Sequence, residues 1–357
     1  MGRRSAEDWI EGAGPVSSIA VTSALRNLAS SSPESPLVDA LGLIEQGEML
    51  YDVGGLPRGA LPGWPTLNEL YTVAPGQWTV ITGAPGSGKS EFVDAMMVNL
   101  AEAGDWEFCV YSPENYPVAT HLVKLCEKRA RLPFGDGPVQ RMTRATYRRA
   151  ANWVAEHFFW IEPALKTPDE LISAGLRYRQ RGKNFGVLLD PWNALEHQRG
   201  TMNETDYVSF ILTETTKLAR STGAHVWLVV HPAKIQRNKD GTRPVPTPYD
   251  ISGSAHWYNK ADNIITVHRN QAESGQDVEI HVQKVRFKHI GHVGLATLKY
   301  DKVTGRYFEP IGPGITGELY IDPERWHTPT EDPELPFSDS DPEADAERAA
   351  IMGELGD

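Results

Sequence analysis

The sequence predicts an α/β fold: a mainly parallel central sheet flanked by helices, with antiparallel strands added at one edge. Three observations carry this. From residue 77 to about 270, short apolar runs alternate with helix-length amphipathic segments, the pattern of successive βαβ units. A glycine-rich run, Gly83-Ala84-Pro85-Gly86-Ser87-Gly88-Lys89-Ser90, separates the first such strand from the first such helix. After residue 270, three runs of alternating polarity follow one another across turn residues, as antiparallel neighbours do.

Residues 1–50 are rich in Ser, Ala and Gly, with weak helical patches at Val21–Ala29 and Leu37–Gln46. They are expected to be an arm that packs on a neighbouring subunit, or a leader. Residues 51–76 carry Gly and Pro repeatedly and read as an ordered loop with a short helix at Leu67–Leu70. The predicted strands are Trp78–Thr82, Phe108–Ser112, Phe158–Ile161, Phe185–Leu189, Val226–Val230 and Asn263–Val267. The predicted helices lie at 89–103, 117–130, 143–156, 168–181 and 205–221. Val278–Phe287, Val293–Tyr300 and Arg306–Glu309 form the antiparallel addition, with Asp301–Gly305 as the last hairpin turn. The folded domain is therefore expected over 51–312, followed by an acidic, disordered tail over 313–357.

Composition narrows the class. No stretch approaches the ~20 apolar residues of a membrane span, and no apolar run follows Arg3 and Arg4 as in a secretion signal. Cys109 falls in a predicted strand and Cys126 in a predicted helix, without metal-ligand spacing, so both read as buried thiols of a cytosolic protein. The net charge of −12 looks unsuited to nucleic acid. However, residues 331–357 hold ten acids and one Arg, so the tail carries nine of those twelve charges. The body is nearly neutral and free to hold local basic patches.

The glycine-rich run fits G-x-x-x-x-G-K-[ST] at every fixed position. Its glycines let backbone N–H groups turn toward phosphates, and the following helix N-terminus adds a favourable dipole. Lys89 is placed to reach the β- and γ-phosphates and Ser90 to hold Mg²⁺ through its hydroxyl. ATP, or another nucleoside triphosphate, with Mg²⁺ is the expected ligand.

Hydrolysis needs more: an acid that orders the metal, a group that activates water, and positive charge on the phosphates. Phe185–Asp190 is an apolar strand ending in an acid, and open α/β sheets place ligands at such strand ends. Asp190 is therefore the metal-ordering candidate, or an Asp that merely starts a loop. Glu114, in Ser112-Pro113-Glu114-Asn115, follows the second predicted strand and is placed either to deprotonate water or to cap a helix. His231 ends the strand Val226–Val230 and is either a γ-phosphate sensor or a structural histidine. Lys284 and Arg286, two apart on a strand, share a face; they are either functional cations or the protective charges of an edge strand.

Read together, these stations resemble the DnaB-like replicative helicases with a RecA-type core, most of all the Twinkle and phage primase–helicase branch. Gly83–Ser90 with Glu91-Phe92 resembles the phosphate loop of that branch. Ser112–Asn115 resembles its second motif, whose Glu is the catalytic base. Asp190 matches the Mg²⁺-linked acid, and His231-Pro232-Ala233-Lys234 is similar to the third motif, whose His or Gln senses the γ-phosphate. Asp250–Ala255 resembles the fourth motif, which contacts single-stranded DNA, although Ser252 stands where family members often have Arg. Lys284-Val285-Arg286-Phe287 is similar to the family's Lys-x-Arg-Phe, whose Arg is a finger inserted into the neighbouring subunit's ATP site. Arg269 and Tyr300 fall in segments whose Arg and Tyr hold the adenine. The likeness spans about residues 54–309 and differs from the phage pattern around 288–294.

The resemblance implies a ring-forming, ATP-dependent DNA helicase, hexameric in the family, moving 5′ to 3′ on single-stranded DNA in replication. The expected setting is the cytoplasm of a bacterial or phage-infected cell. The basic loop Lys234–Pro244 supplies the expected DNA contacts, Lys234, Arg237, Asn238, Lys239 and Arg243, with Gly253 and Ser254 from the fourth motif. Without the family that loop would read as a solvated surface loop. His256-Trp257-Tyr258 could stack a base, though core packing is the commoner role. Arg141–Arg149 reads as a solvated helix face. The tail, with Leu335-Pro336-Phe337, either recruits a primase, polymerase or single-strand-binding partner or serves as a solubilising end. Two other functions share these motifs: a RecA-like recombination or repair ATPase that forms filaments, and a replisome-loading scaffold with weak ATPase.

Overall fold

The computed structural model describes residues 40–104, 106–161, 167, 170–171, 184–195, 201–233, 243–251, 254–269 and 277–309, without the side chains of 41, 42 and 254. The patch at Val21–Ala29, most of the helix expected over 168–181, the loop 234–242 and the acidic tail lie outside the described residues.

Among the described residues, a nine-stranded sheet runs β3-β2-β4-β5-β1-β6-β7-β8-β9. The strands are β1 Trp78–Thr82, β2 Trp106–Tyr111, β3 Phe158–Trp160, β4 Asn184–Leu189, β5 His225–Val230, β6 Asn263–His268, β7 Asp277–Val285, β8 Gly294–Tyr300 and β9 Tyr307–Phe308. The first six pair in parallel, and β7 to β9 pair antiparallel on the far side of β6. The expected edge addition is therefore present. Burial explains the two kinds of strand. β1, β2 and β5 are buried along their whole length, as parallel strands covered on both faces must be. β7 alternates buried and half-exposed residues, which suits a sheet face that meets solvent.

The helices are α1 Ala40–Asp52, α2 Pro65–Leu70, α3 Lys89–Ala103, α4 Val118–Ala130, α5 Arg144–His157, α6 Glu204–Thr222 and α7 Ser254–Lys260. Local chemistry sets their ends. The Asn203 side chain accepts the Asp206 N–H at 2.9 Å to start α6, and Gly223, left-handed at φ 72°, ends it. Thr143 caps α5 by accepting the Thr146 N–H at 3.1 Å. Arg141, Arg144, Arg148 and Arg149 lie along the surface of this region, as the solvated-face reading expects.

The core lies on both sides of β1. Trp78, Val80, Val226 and Leu228 pack under α6 with Leu212 and Ala219. On the other flank Trp64 stacks on Phe92 of α3 at 5.5 Å, and Tyr307 meets both rings edge-on. The Trp64 indole N–H donates to Tyr307 O at 2.9 Å, so the leading loop, the helix after the glycine-rich run and the last strand share one aromatic joint. Cys109 and Cys126 are buried free thiols, and burial pushes both up to about 12.

Candidate functional site

Strand polarity sorts the candidate residues. The carboxyl ends of β1, β2, β4 and β5 carry, in that order, residues 83–90, Glu114, Asp190 and His231. These four strands are contiguous in the sheet, in the order β2-β4-β5-β1, so the four stations converge on one sheet edge.

At its centre the glycine-rich run turns into α3. Gly83 has φ 152°, and a Cβ there would lie 2.2 Å from Val267 O of β6, so only glycine lets the backbone pass. Gly88, left-handed at φ 93°, is the residue before α3. Lys89 is buried and donates to Gly83 O at 3.0 Å and to Ala84 O at 3.2 Å. Burial pulls its ammonium below the ordinary lysine value, against the pull of the Asp190 and Glu114 carboxylates. Ser87 Oγ is buried without a hydrogen-bond partner among the described residues. An orphaned hydroxyl, a folded-back lysine and a left-handed backbone make a cradle of the chemistry that phosphates need.

Asp190 is 4% exposed. Burial raises its carboxyl to about 6, against a hydrogen bond from Ser90 that lowers it, with the Asp94 and Glu114 charges adding to the rise. Ser90 and Asp190 thus present a hydroxyl and a buried acid to one point, a donor set suited to Mg²⁺. His231 Nε2 lies 3.9 Å from Glu114 Oε1. Burial and the nearby Lys89 hold the His231 imidazole below its ordinary value, with Glu114 opposing them. Its Nδ1 has no partner among the described residues. Its backbone N–H donates to Asn193 Oδ1 at 3.0 Å, which ties the end of β5 to the turn that follows Asp190.

Behind these groups lies a charged layer that single motifs do not reveal. Glu91 of α3 pairs with Lys124 at 3.1 Å and with Lys128 of α4. Lys124 Nζ also donates to Asn115 Oδ1 at 3.0 Å, and Asn115 Nδ2 donates to Ser112 Oγ at 2.9 Å. The loop that carries Glu114 is therefore braced against α3. Deeper, His121 Nε2 lies 3.0 Å from Asp94 Oδ1, and the Trp160 indole N–H donates to His121 Nδ1 at 3.2 Å. Nδ1 is then the acceptor, so Nε2 carries the hydrogen donated to Asp94. Burial alone would raise the Asp94 carboxyl, yet His121 and the two lysines bring it below its ordinary value.

Arg269 follows β6 and Tyr300 ends β8. Burial pushes the Tyr300 phenol up to about 12, helped by Glu91 and Asp301 and opposed by Arg269. Tyr307 lies beside Tyr300, ring centroids 5.0 Å apart, and its hydroxyl donates to Gly88 O at 3.2 Å. Tyr307 is not among the residues that the sequence marks as functional, because the contact joins residues 219 positions apart; its place in a short strand suggests only core.

Lys284 and Arg286 stand apart from all of these. β7 runs antiparallel to β6, with Asn263 opposite Val285, so both cations reach the amino-terminal edge of the parallel strands. A five-residue strand separates the two edges by about 16 Å. Arg286 therefore cannot serve the site of its own chain. Among the expected DNA contacts, Lys234, Arg237, Asn238, Lys239 and Gly253 and the side chain of Ser254 lie outside the described residues. Arg243 is half-buried at the start of the segment that leads to Asp250, whose carbonyl accepts the Ala233 N–H at 2.6 Å. Trp257 is core: it is 1% exposed and meets Trp192 edge-on at 5.4 Å. Tyr258 stacks instead on exposed Tyr249, centroids 5.3 Å apart. Among the described residues no helix is long and apolar enough to cross a membrane.

Comparison with known proteins bears on the same residues. Residues 61–309 match a family model described as the DnaB-like helicase C terminal domain. A Twinkle homolog protein, chloroplastic/mitochondrial, of Arabidopsis thaliana is 41% identical over 277 residues, which cover 73% of this chain and 38% of that protein. The chain thus spans well under half the length of that relative. Among solved structures, one described as an ATPase domain matches with TM-score 0.66 at 19% identity, over 78% of this chain and 100% of that one. A DnaB-like replicative helicase, described with its interactions with primase, matches with TM-score 0.63 at 18% identity, over 80% and 70% of the two chains. At such identities the structural likeness concerns the fold: a RecA-like sheet with an antiparallel edge.

Proposed function

The chain belongs to the DnaB-like helicase C-terminal domain family, and on that premise we propose that it is an ATP-driven DNA helicase that forms a ring and translocates 5′ to 3′ on single-stranded DNA during replication. One observation carries the proposal. Residues 83–90, Glu114, Asp190 and His231 converge at one sheet edge, while Arg286 lies at the opposite edge of the same sheet. A chain with the two halves of a site on opposite edges completes it by meeting a copy of itself head to tail, and such contacts make a ring when the rotation between copies closes and a filament when it does not; the family favours the ring.

In this reading the N–H groups of residues 83–90 and Lys89 hold the phosphates. Ser90 and Asp190 would hold Mg²⁺, which would supply charge neutralisation on the triphosphate. Glu114 orients a water for in-line attack and takes its proton. Arg286 of the next subunit approaches the γ-phosphate; a finger of this kind raises turnover by on the order of 10³-fold or more. His231, between Glu114 and the loop 234–242, relays loss of the γ-phosphate to the Lys234–Arg243 segment, where the strand is gripped. Arg269 and Tyr300 hold the base. Primase or another replication protein is the expected partner class, and the compartment is one that holds DNA: the bacterial or phage-infected cytoplasm, or the organelles that the plant relative's name gives for that protein.

A forked-duplex unwinding assay, with ATPase measured alongside, tests the proposal. The wild type displaces a strand with ATP, and Lys89→Ala and Arg286→Ala do neither. A wild type that hydrolyses ATP with DNA present yet never displaces a strand overturns the helicase reading.

A further inference from the structure

Arg286 does not hang free at the amino-terminal edge; it sits on a built mount. Its Nη2 donates to Asn259 O at 3.1 Å, Lys260 O at 2.8 Å and Ala261 O at 3.1 Å. These are the carbonyls at the end of α7, which a helix leaves without internal partners and which form the negative end of its dipole. Its Nε lies 2.8 Å from Asp262 Oδ1. The N–H does not aim at that oxygen, so this contact is a pairing of charges rather than a directed hydrogen bond. The backbone closes the mount, because the Arg286 N–H donates to Asp262 O at 2.9 Å. Lys284 docks on the same helix end, donating to Tyr258 O and, at 3.4 Å, to Asn259 O. The hydrogen bonds and ion pair among described residues engage Nη2 and Nε and none engages Nη1, and a third of the side chain is exposed.

Asp262 is the acidic member of the mount. It is 1% exposed, a costly place for a carboxylate unless something is gained. Its Oδ2 accepts the N–H of Trp78, the first residue of β1, at 3.2 Å. Asp262 thus joins the guanidinium to the strand that leads into the phosphate loop of its own chain.

We infer that Asp262 is a positioning residue for Arg286: it fixes the guanidinium in advance so that Nη1 is presented to the ATP site of a neighbouring copy. The inference rests on the reading of Arg286 as a group that acts between subunits. An unanchored arginine would have to be ordered each time two subunits close, and a misplacement of about 1 Å at a reacting centre costs on the order of 10²-fold in rate. A guanidinium held on three carbonyls and a carboxylate has already lost that freedom.

The test is a double-mutant cycle on DNA-stimulated ATPase of the full chain, with wild type, Asp262→Asn, Arg286→Ala and the double variant. Asn has the shape of Asp and keeps an acceptor for the Trp78 N–H while it removes the charge beside Arg286. The expected result is a kcat about 10- to 100-fold lower for Asp262→Asn with KM for ATP nearly unchanged, and no further loss when the substitution is added to Arg286→Ala. Equal losses in both backgrounds, or no loss in either, overturn the inference: a purely structural carboxylate would cost the same with or without the arginine. Arg286→Ala alone judges the underlying reading, since full turnover there removes the intersubunit role whatever Asp262 does. Should Asp262→Asn not yield folded protein, Asp262→Glu, which keeps the charge and shifts it by one methylene, goes through the same cycle with the same two outcomes.

Discussion

His231 Nε2 and Glu114 Oε1 face each other at 3.9 Å across the carboxyl ends of β5 and β2. The carboxylate that would activate water and the imidazole that would report on the γ-phosphate are therefore neighbours. Glu114→Gln keeps the shape and removes the base. It is expected to lower ATPase by about 10²- to 10⁴-fold while nucleotide binding survives, as read by ATPase against equilibrium binding of a fluorescent ATP analogue. Loss of binding in step with activity would instead make Glu114 a structural residue of its loop.

Asp190 predicts an acid limit on metal binding. Burial raises its carboxyl to about 6, so below that pH the metal must displace a proton from it. Mg²⁺-dependent nucleotide binding should weaken as pH falls from 7 to 5, approaching a tenfold loss of metal affinity per unit below about 6. Asp190→Asn should bind the metal complex weakly at every pH with a flatter profile. Calorimetric titrations of both proteins across that range check this, and the difference in slope separates Asp190 from the nucleotide's own titration.

His225 predicts an acid limit on stability. Its Nδ1–H donates to Ala74 O at 2.7 Å, and its Nε2 accepts from the Tyr71 or Thr79 hydroxyls at 3.2 and 2.9 Å. Burial lowers the imidazole to about 4, against the Ala74 hydrogen bond that raises it. The folded value lies below the unfolded one, so the unfolded chain takes up the proton first. The stability is whole above the unfolded value of about 6.5 and is lost as pH falls toward 4, by about 3 kcal/mol in all. Denaturant melts of wild type and His225→Gln between pH 7 and 4 should diverge by that amount; parallel curves would contradict it.

His121 predicts a cost in the layer behind the site. Removing the imidazole leaves Asp94 buried with its nearest donor gone. His121→Ala is expected to destabilise the protein by about 3–5 kcal/mol, read from the urea midpoint at pH 7. Adding Asp94→Asn should recover part of that loss, because a neutral amide tolerates burial better than an unpaired carboxylate.

Much of the sheet is legible in the sequence because burial leaves a linear signature. Trp78–Thr82 has the bounds that the sequence predicts, and so does α3, since a continuous apolar run and a phosphate-binding motif are local properties. Strand ends differ by a residue or two: β2 starts at Trp106 rather than Phe108, because pairing with β4 from Asn184 onward extends it. Glu114, Asp190 and His231 stand out by position after a strand, a rule that parallel sheets obey. Asp262, His121, Asn193 and Tyr307 do not. Each owes its place to a contact set by strand order or helix packing, and nothing in its immediate neighbours distinguishes it from an ordinary buried residue. The separation of Arg286 from the phosphate loop is equally hidden, since it follows from the antiparallel pairing of β6 and β7 and from no motif.

The central claim is that one chain carries two halves of two different ATP sites. Mixing Lys89→Ala chains, which keep Arg286, with Arg286→Ala chains, which keep the phosphate loop, tests it most directly. After subunit exchange, the mixture should show DNA-stimulated ATPase well above the sum of the two separate preparations, because some junctions join an intact loop to an intact arginine. A mixture no more active than that sum would contradict the claim.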